Sequence, residues 1–356
     1  MGILAKIPEP VREAAKSLAP DSWVEGARRA VLRRYDPSIV VARESAARRW
    51  LSRHVLRLYY PLSMVSREGA AKRWFSTRIM RKRPRLYHFE IHVTDHCNLN
   101  CRGCDHFSNL CGPTFLGPDE FESDMAAVAG RLDIDDIYLL GGEPLLHPQI
   151  GDFARIARRC FPNARICVMT NGTLVTQMGP GFWAALAETD TVLLCDLYPI
   201  GLPVDDIEAL GAKSGVTVEW TERRDEFFKL PIDLDGRQDP ADSFSRCQGL
   251  CNCPMVRHGR MYPCAYAAYA DVLGGHFGLP GLEAGEADSV SLHDDRDPRE
   301  IVDFLLNPIP WCRHCDFDSF EMYPWAHSRG RLDEWVTLPA GDANPAKTTS
   351  VREDLP

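Results

Sequence analysis

The sequence contains no run of about 18 consecutive apolar residues, the length an α-helix needs to cross a bilayer. No membrane-spanning helix is therefore expected. A secretory leader is not expected either, because Lys6 and Pro8 interrupt the segment from Met1 to Pro10 before a signal-length apolar stretch forms. No nucleic-acid-binding module is recognisable, so nucleic acid is not an expected partner. With 13 Cys and no secretory start, we expect a reducing cytoplasm in which thiols bind metals.

Charge is unevenly distributed along the chain. Residues 1–86 hold 20 Lys and Arg against seven Asp and Glu, so the net charge of −9 conceals a strongly acidic remainder. The spacing of apolar residues predicts a basic helical extension over 1–85. One predicted helix has arginines on one side and apolar residues on another: Arg49, Arg53, Arg57, Leu51, Val55 and Leu58. Such a helix suits an anionic membrane surface, which would make the protein peripheral, or a polyphosphate substrate; packing across the neighbouring domain explains it equally well.

From Leu86 onward, predicted strands and helices alternate. The strands are Leu86–Thr94, Asp136–Leu140, Arg165–Met169, Thr191–Asp196 and Val216–Trp220. The helices between them are Glu120–Leu132, Ile150–Cys160, Gly181–Glu188 and Val204–Lys213. This order predicts an α/β fold with a parallel sheet, and five units in about 135 residues fit an open partial barrel better than a complete one. Functional side chains are then expected at the carboxyl ends of the strands.

Three thiols are crowded into the eight residues that follow the first strand, at Cys97, Cys101 and Cys104. With spacings of three and two residues, one loop can direct all three sulfurs at an iron–sulfur cluster and leave one iron open. A structural zinc site is the alternative; it needs a fourth ligand, which His96 or His106 can supply.

At this loop the chain resembles the radical S-adenosylmethionine (SAM) enzymes, whose signature is Cys-x3-Cys-x2-Cys after the first strand. The resemblance implies a partial (β/α)6 TIM-like barrel and a [4Fe–4S] cluster whose open iron chelates SAM. It also implies a 5′-deoxyadenosyl radical and an external reductase or flavodoxin-type electron donor. Gly103 stands where the family commonly has an aromatic residue near the adenine, so Phe107 or backbone atoms around His106 are the replacement we expect.

Two further elements resemble the cofactor-binding loops of that family. Gly141-Gly142-Glu143-Pro144 follows the second strand and is similar to the glycine-rich element that holds the amino group of SAM, with Glu143 as the anionic acceptor. Thr170 and Asn171 follow the third strand and resemble a ribose-contacting element, although a simple turn explains them too. Asp196 ends the fourth strand, where its carboxylate can bind substrate hydroxyls or cap the next helix.

A second cysteine cluster begins after the Pro- and Asp-rich segment 230–242. Eleven residues separate Cys247 from Gly259 and four more precede Cys264, before a late Cys312-Arg-His-Cys315 pair. This spacing resembles the twitch or SPASM extensions, which implies an auxiliary [4Fe–4S] cluster on Cys247, Cys264, Cys312 and Cys315. Cys253 can replace Cys247, and a zinc ribbon would use the same thiols.

These readings divide the chain into four parts. They are the basic extension 1–85, the barrel 86–230, a small iron–sulfur domain 231–335 and a polar tail 336–356 that we expect to be disordered. The predicted reaction removes hydrogen from a hydroxyl-bearing carbon of a sugar, a cyclitol or a nucleotide- or lipid-linked sugar. Epimerisation would follow if Cys253 or Cys251 returns a hydrogen, and dehydrogenation if the auxiliary cluster takes an electron. Maturation of a ribosomally made peptide and a non-catalytic metal scaffold are the alternatives.

Overall fold

The computed structural model describes residues 83–247 and 253–337. The predicted basic extension up to residue 82, the predicted tail from residue 338 onward and Cys251 lie outside the described residues. Within those two ranges, no helix is both long and apolar enough to span a membrane.

The described part of the chain contains ten strands: β1 (Arg85–Thr94), β2 (Asp133–Gly141), β3 (Arg165–Thr170), β4 (Thr191–Cys195), β5 (Val218–Trp220), β6 (Glu226–Lys229), β7 (Met255–Arg257), β8 (Arg260–Tyr262), β9 (Val290–Ser291) and β10 (Glu321–Pro324). Eight of them form one sheet in the order β5-β4-β3-β2-β1-β7-β8-β9. The pairs from β5 to β7 are all parallel, whereas β8 and β9 are added antiparallel. Strands β6 and β10 pair separately.

The same ranges contain eight α-helices: α1 (Pro118–Val128), α2 (Ile150–Cys160), α3 (Pro180–Glu188), α4 (Val204–Ser214), α5 (Pro240–Cys247), α6 (Ala265–Ala268), α7 (Ala270–Phe277) and α8 (Pro298–Leu305). The predicted alternation of five strands and four helices is confirmed, and α2 has the predicted bounds. The prediction extended α1 to Leu132, four residues too far. Gly130 has φ +83°, a left-handed conformation that ends the helix.

The sheet is an open partial barrel with six parallel strands, but the sixth does not follow the fifth. A strand added in sequence would lie beside β5, whereas β6 leaves the main sheet and β7 pairs with β1 instead. The region after residue 230 therefore extends the same sheet through β7, β8 and β9. Whether 231–335 is a domain in its own right stays a prediction.

Strand β1 has two chemically different faces. Phe89, Ile91 and Val93 are at most 2% exposed and pack into the hydrophobic core between the sheet and the helices. Because side chains alternate along a strand, Glu90 and His92 point to the opposite face. That face is concave, carries buried polar groups and leads to the carboxyl ends of the strands.

Candidate active site

A cavity of about 400 Å³ opens at the carboxyl ends of the parallel strands. Its walls come from the ends of β2, β3 and β4, from the cysteine loop after β1, and from the segment leading into β7. Predicted site residues that line it are Cys97, Cys101, Cys104, Gly141, Gly142, Thr170, Asn171, Asp196 and Cys253. The fold thus brings residues that are more than 150 positions apart in the sequence to one cavity, as the mouth of a barrel does.

The three thiols of the cysteine loop each accept a hydrogen bond from nitrogen. The backbone N–H groups of Leu99 and Ser108 donate to Cys97 and Cys104, and the Trp325 indole donates to Cys101 at 3.3 Å. Burial raises the pKa of Cys97 to about 12, so iron binding must release the proton. N–H donors directed at partly buried sulfurs are the surroundings that iron–sulfur ligands require. The three cysteines therefore fit a [4Fe–4S] cluster.

The wider geometry favours a multi-iron group over zinc. Four sulfurs around one zinc lie about 3.8 Å apart, given a Zn–S distance of about 2.3 Å. Across residues 83–247 and 253–337, only His88, Glu90 and Cys253 bring three ligand atoms within 4.8 Å of one another. His96, proposed above as a fourth zinc ligand, instead contacts the Thr94 hydroxyl at 2.7 Å.

Residues 321–336 hold the cysteine loop from its outer side. The Tyr323 hydroxyl donates to the Arg102 carbonyl at 2.7 Å, and the Trp335 indole donates to the Cys104 carbonyl at 2.9 Å. A Cβ atom on Gly103 would lie 2.3 Å from the Tyr323 hydroxyl, and Gly103 has φ +63°. This explains the departure from the family pattern at position 103, because Tyr323 occupies the space that an aromatic side chain there would need.

The Gly141-Gly142 turn lies directly against the start of the cysteine loop. Backbone N–H groups of Gly142 and Glu143 donate to the carbonyls of Thr94 and His96 at 2.9 and 3.0 Å. A Cβ on Gly141 would lie 2.1 Å from the Thr94 oxygen, and one on Gly142 would lie 2.1 Å from the His96 oxygen. Glycine is required here because two backbones pack without room for a side chain.

Glu143 does not offer the free carboxylate that the sequence suggested. It is fully buried, and its oxygens accept from the Leu145 N–H at 3.0 Å, the Thr170 hydroxyl at 2.6 Å and the Asn171 N–H at 2.9 Å. Glu143 is absent from the cavity wall. Its carboxyl joins the end of β2 to the end of β3, and the adjoining buried Pro144 begins a short 3-10 turn.

This arrangement makes protein stability depend on Glu143. Burial raises its pKa from 4.5 to about 7, so the folded chain retains a proton that the unfolded chain releases between those values. The stabilisation relative to Glu143→Gln, which does not titrate, should therefore be largest below pH 4.5 and decrease as the pH rises to 7. Thermal unfolding at pH 5 and pH 8 measures this, with the exposed Glu122→Gln as control. A stability difference that grows with pH would contradict the assignment.

Phe107 is not at the cavity either. It has φ +54°, and its fully buried ring lies 5.7 Å from the Tyr266 ring and 6.5 Å from that of Trp335. The left-handed backbone turns the ring into the second hydrophobic core, while neighbouring His106 lines the cavity. The adenine contact expected of Phe107 is therefore not supported.

Asn171 and Asp196 do reach the cavity. The Asn171 amide donates to the Asn98 side chain at 2.8 Å and approaches Cys97 Sγ at 3.7 Å, which connects the third strand to the cysteine loop. Asp196 accepts from Arg224 at 2.7 Å and from Thr221 at 3.0 Å. The carboxylate is thus fixed at the mouth of the barrel.

Four thiols of the second cysteine cluster lie near one another, and their role as ligands of an auxiliary cluster stays a prediction. Cys247, Cys264, Cys312 and Cys315 lie close enough for their charges to interact, and burial raises the pKa of Cys312 to about 12. Cys253 also interacts with Cys247 but lines the cavity and hydrogen-bonds to Glu90. Cys253 differs from the four proposed ligands in lining the cavity, and whether Cys247 or Cys253 is the fourth ligand stays a prediction.

Sequence reasoning missed Glu90 and Trp325. Glu90 belongs to the run His88-Phe-Glu-Ile-His92 of β1. It could have been recognised from the sequence as a charged residue that alternates with buried apolar residues on a central strand. Trp325 reaches Cys101 from 224 residues away, which no local pattern reveals.

Residues 91–209 match the family model for the Radical SAM superfamily. The GTP 3′,8-cyclase of Chlorobaculum tepidum is 32% identical over 145 residues, which are 41% of this chain and 39% of that relative. The probable GTP 3′,8-cyclase of Pyrococcus horikoshii is 38% identical over 84 residues, 23% of this chain and 26% of the relative. The chain thus spans between a quarter and two fifths of the length of these curated relatives. The solved structure of native anSMEcpe with bound AdoMet covers 65% of this chain and 83% of its own, at a TM-score of 0.38 and 12% identity.

The three-cysteine loop, the Gly-Gly turn packed against it and most of the parallel sheet lie within the residues that match this family model. Residues 91–209 therefore form a radical SAM domain. The cofactors of this superfamily are SAM and a [4Fe–4S] cluster. The assignment of Cys97, Cys101 and Cys104 as the ligands of that cluster stays a prediction.

Proposed function

We propose that the protein is a radical SAM epimerase acting on a hydroxyl-bearing carbon of a small sugar or cyclitol. The observation that carries this proposal is the position of Cys253, a thiol that lines the same cavity as the cysteine loop, whereas none of the four proposed auxiliary-cluster thiols lines it. A thiol there can return a hydrogen atom to a substrate carbon. Dehydrogenation remains the second outcome of the same hydrogen removal, with an auxiliary cluster as electron acceptor.

The lining of the cavity indicates the kind of substrate. Among the described residues, four carboxylates face it, and the arginine that lines it, Arg224, is already paired with a carboxylate. The carboxylates belong to Glu90, Asp105, Asp196 and Glu226. Carboxylates accept hydrogen bonds from hydroxyl and ammonium groups, but they repel phosphates. A neutral or amine-bearing polyol therefore suits the cavity better than a nucleoside triphosphate such as the GTP in the names of the relatives.

Bound SAM and its cluster would supply the radical that removes one hydrogen atom from the substrate. The chain's own residues then have three tasks. Asp196, held by Arg224, orients a substrate hydroxyl; Cys253 returns hydrogen to the carbon; and the aromatic side chains of Tyr198, Phe227 and Tyr266 limit the access of water. The C-terminal thiols would hold an auxiliary [4Fe–4S] cluster beside Cys253.

Replacing Cys253 with Ala separates hydrogen removal from hydrogen return. In a protein-free metabolite extract of the source organism, Cys253→Ala should still form 5′-deoxyadenosine, while the product falls at least about 100-fold, because general catalytic groups commonly contribute that much. Liquid chromatography with mass spectrometry quantifies both compounds, and Cys160→Ala is the control. Unchanged product formation by Cys253→Ala would exclude thiol donation and favour dehydrogenation or peptide modification.

A further inference from the structure

We propose that Glu90 is the proton donor that restores the Cys253 thiol after each turnover and that it also fixes the direction of the S–H bond. This inference rests on the proposed function, since it assumes that Cys253 gives its hydrogen to the substrate. It concerns a residue of β1, on the wall of the cavity opposite the strand ends that bind the cofactor.

The backbone places the two groups side by side. The N–H of Glu90 donates to the carbonyl of Pro254 at 2.8 Å, and Glu90 pairs with Met255 in the parallel β1–β7 register. Cys253 immediately precedes that pairing and is therefore fixed next to the middle of β1. Both side chains line the cavity.

The side chains are in direct contact. The Cys253 thiol donates to the Glu90 carboxyl group, and these two ligand atoms and a ring nitrogen of His88 all lie within 4.8 Å of one another. Glu90 is 8% exposed, and its carboxyl lies 4.0 Å from the His88 ring. The Glu90 carboxyl group is thus placed to exchange a proton with the sulfur of Cys253.

After Cys253 has given its hydrogen atom to the substrate, its thiol must be restored before the next turnover, and Glu90 can supply the proton. The substrate carbon radical takes the hydrogen atom of the Cys253 S–H bond, which leaves a thiyl radical. One electron, from the low-potential iron–sulfur or flavin donor that the proposed function requires, converts the thiyl radical to a thiolate. The Glu90 carboxylic acid then transfers its proton to the thiolate, and the carboxylate regains a proton from cavity water.

Burial supports this assignment. It raises the pKa of Glu90, which favours the protonated acid. His106 and the hydrogen bond from Cys253 oppose the shift, and Asp105 and Asp196 reinforce it. Burial also raises the pKa of Cys253, so a thiolate formed there is a strong base. Proton transfer from the acid to the sulfur is therefore favourable.

The test compares Glu90→Gln with Glu219→Gln, a carboxylate on β5 at the far edge of the sheet. After the first product molecule, Glu90→Gln should turn over several-fold more slowly in the metabolite extract, because the preloaded thiol serves once and the thiolate must then take its proton from water. The wild type and Glu219→Gln should continue to turn over. Glu90→Asp should partly restore repeated turnover, which an effect on folding alone does not predict.

A second readout needs no turnover. In the full-length reconstituted protein, iodoacetamide should alkylate Cys253 several-fold faster in Glu90→Gln in an alkaline buffer that ionises Glu90. The ionised carboxylate of the wild type raises the pKa of the neighbouring thiol, and the thiolate is the nucleophile. Peptide mass spectrometry measures the rate for this cysteine, and Glu219→Gln should leave it unchanged.

The outcomes distinguish this inference from the proposed function. If Cys253→Ala stops product formation while Glu90→Gln turns over like the wild type, the assignment of Glu90 is wrong and the epimerase proposal stands. If Cys253→Ala is fully active, the epimerase proposal itself fails. A stoichiometric zinc or manganese ion that is lost in Glu90→Gln would also overturn the inference, since His88, Glu90 and Cys253 would then be metal ligands.

Discussion

The variant with Ala at positions 97, 101 and 104 should form no 5′-deoxyadenosine above background when it is incubated anaerobically with SAM and dithionite. Each replacement removes a sulfur that we assign to the cluster, so no iron remains to bind SAM at the cavity. Chromatographic assay of 5′-deoxyadenosine measures the effect, and Cys160→Ala should behave like the wild type. Normal cleavage by the triple variant would contradict the assignment of the cysteine loop.

The same variant tests the C-terminal thiols. If Cys247, Cys264, Cys312 and Cys315 hold an auxiliary cluster, the triple variant should retain roughly four irons and four sulfides per chain after reconstitution. Elemental analysis that finds one zinc and no iron would assign these thiols to a zinc ribbon. That result would remove the dehydrogenation route, which needs an auxiliary cluster as electron acceptor, and would leave epimerisation possible.

Gly142→Ala should have the second-largest effect, because the new methyl group would lie 2.1 Å from the His96 carbonyl oxygen. Backbone atoms cannot move aside as a flexible side chain can, so we expect a loss of about 3 kcal/mol in stability. The cysteine loop would be displaced with His96, and iron incorporation at the cavity should fall accordingly. Gly181→Ala on α3 is the matched control, since a Cβ there meets nothing within 4 Å.

Thermal unfolding and the absorbance of the reconstituted cluster measure the two effects separately. A Gly142→Ala protein with wild-type stability and full iron content would show that the turn and the loop do not depend on each other. That result would remove our explanation for the two glycines.

The strand and helix pattern was predictable because each element has a local cause. Apolar residues alternate on β1 and recur at helical spacing on α2 because those residues are buried. The cysteine loop could be recognised because its three thiols lie within eight consecutive residues. The errors also had local causes: Gly130 ended α1 early, and Gly215, with φ +71°, delayed the start of β5.

The residues that were misjudged depend on contacts far along the chain. Glu143 resembled a ligand group until the structure showed its oxygens occupied by groups at positions 145, 170 and 171. Phe107 resembled an adenine contact because the sequence does not reveal its left-handed backbone. Trp325 and Tyr323 could not be assigned to the cysteine loop, since more than 220 residues separate them from the groups they contact.

Turnover in deuterated water tests the central claim most directly. The enzyme is incubated with the metabolite extract, SAM and dithionite in D2O, and each product is compared with its precursor by mass spectrometry. An exchangeable thiol at Cys253 predicts a product one mass unit heavier than the precursor, with the deuterium on carbon. A product two mass units lighter with no carbon-bound deuterium would contradict the account and identify a dehydrogenase.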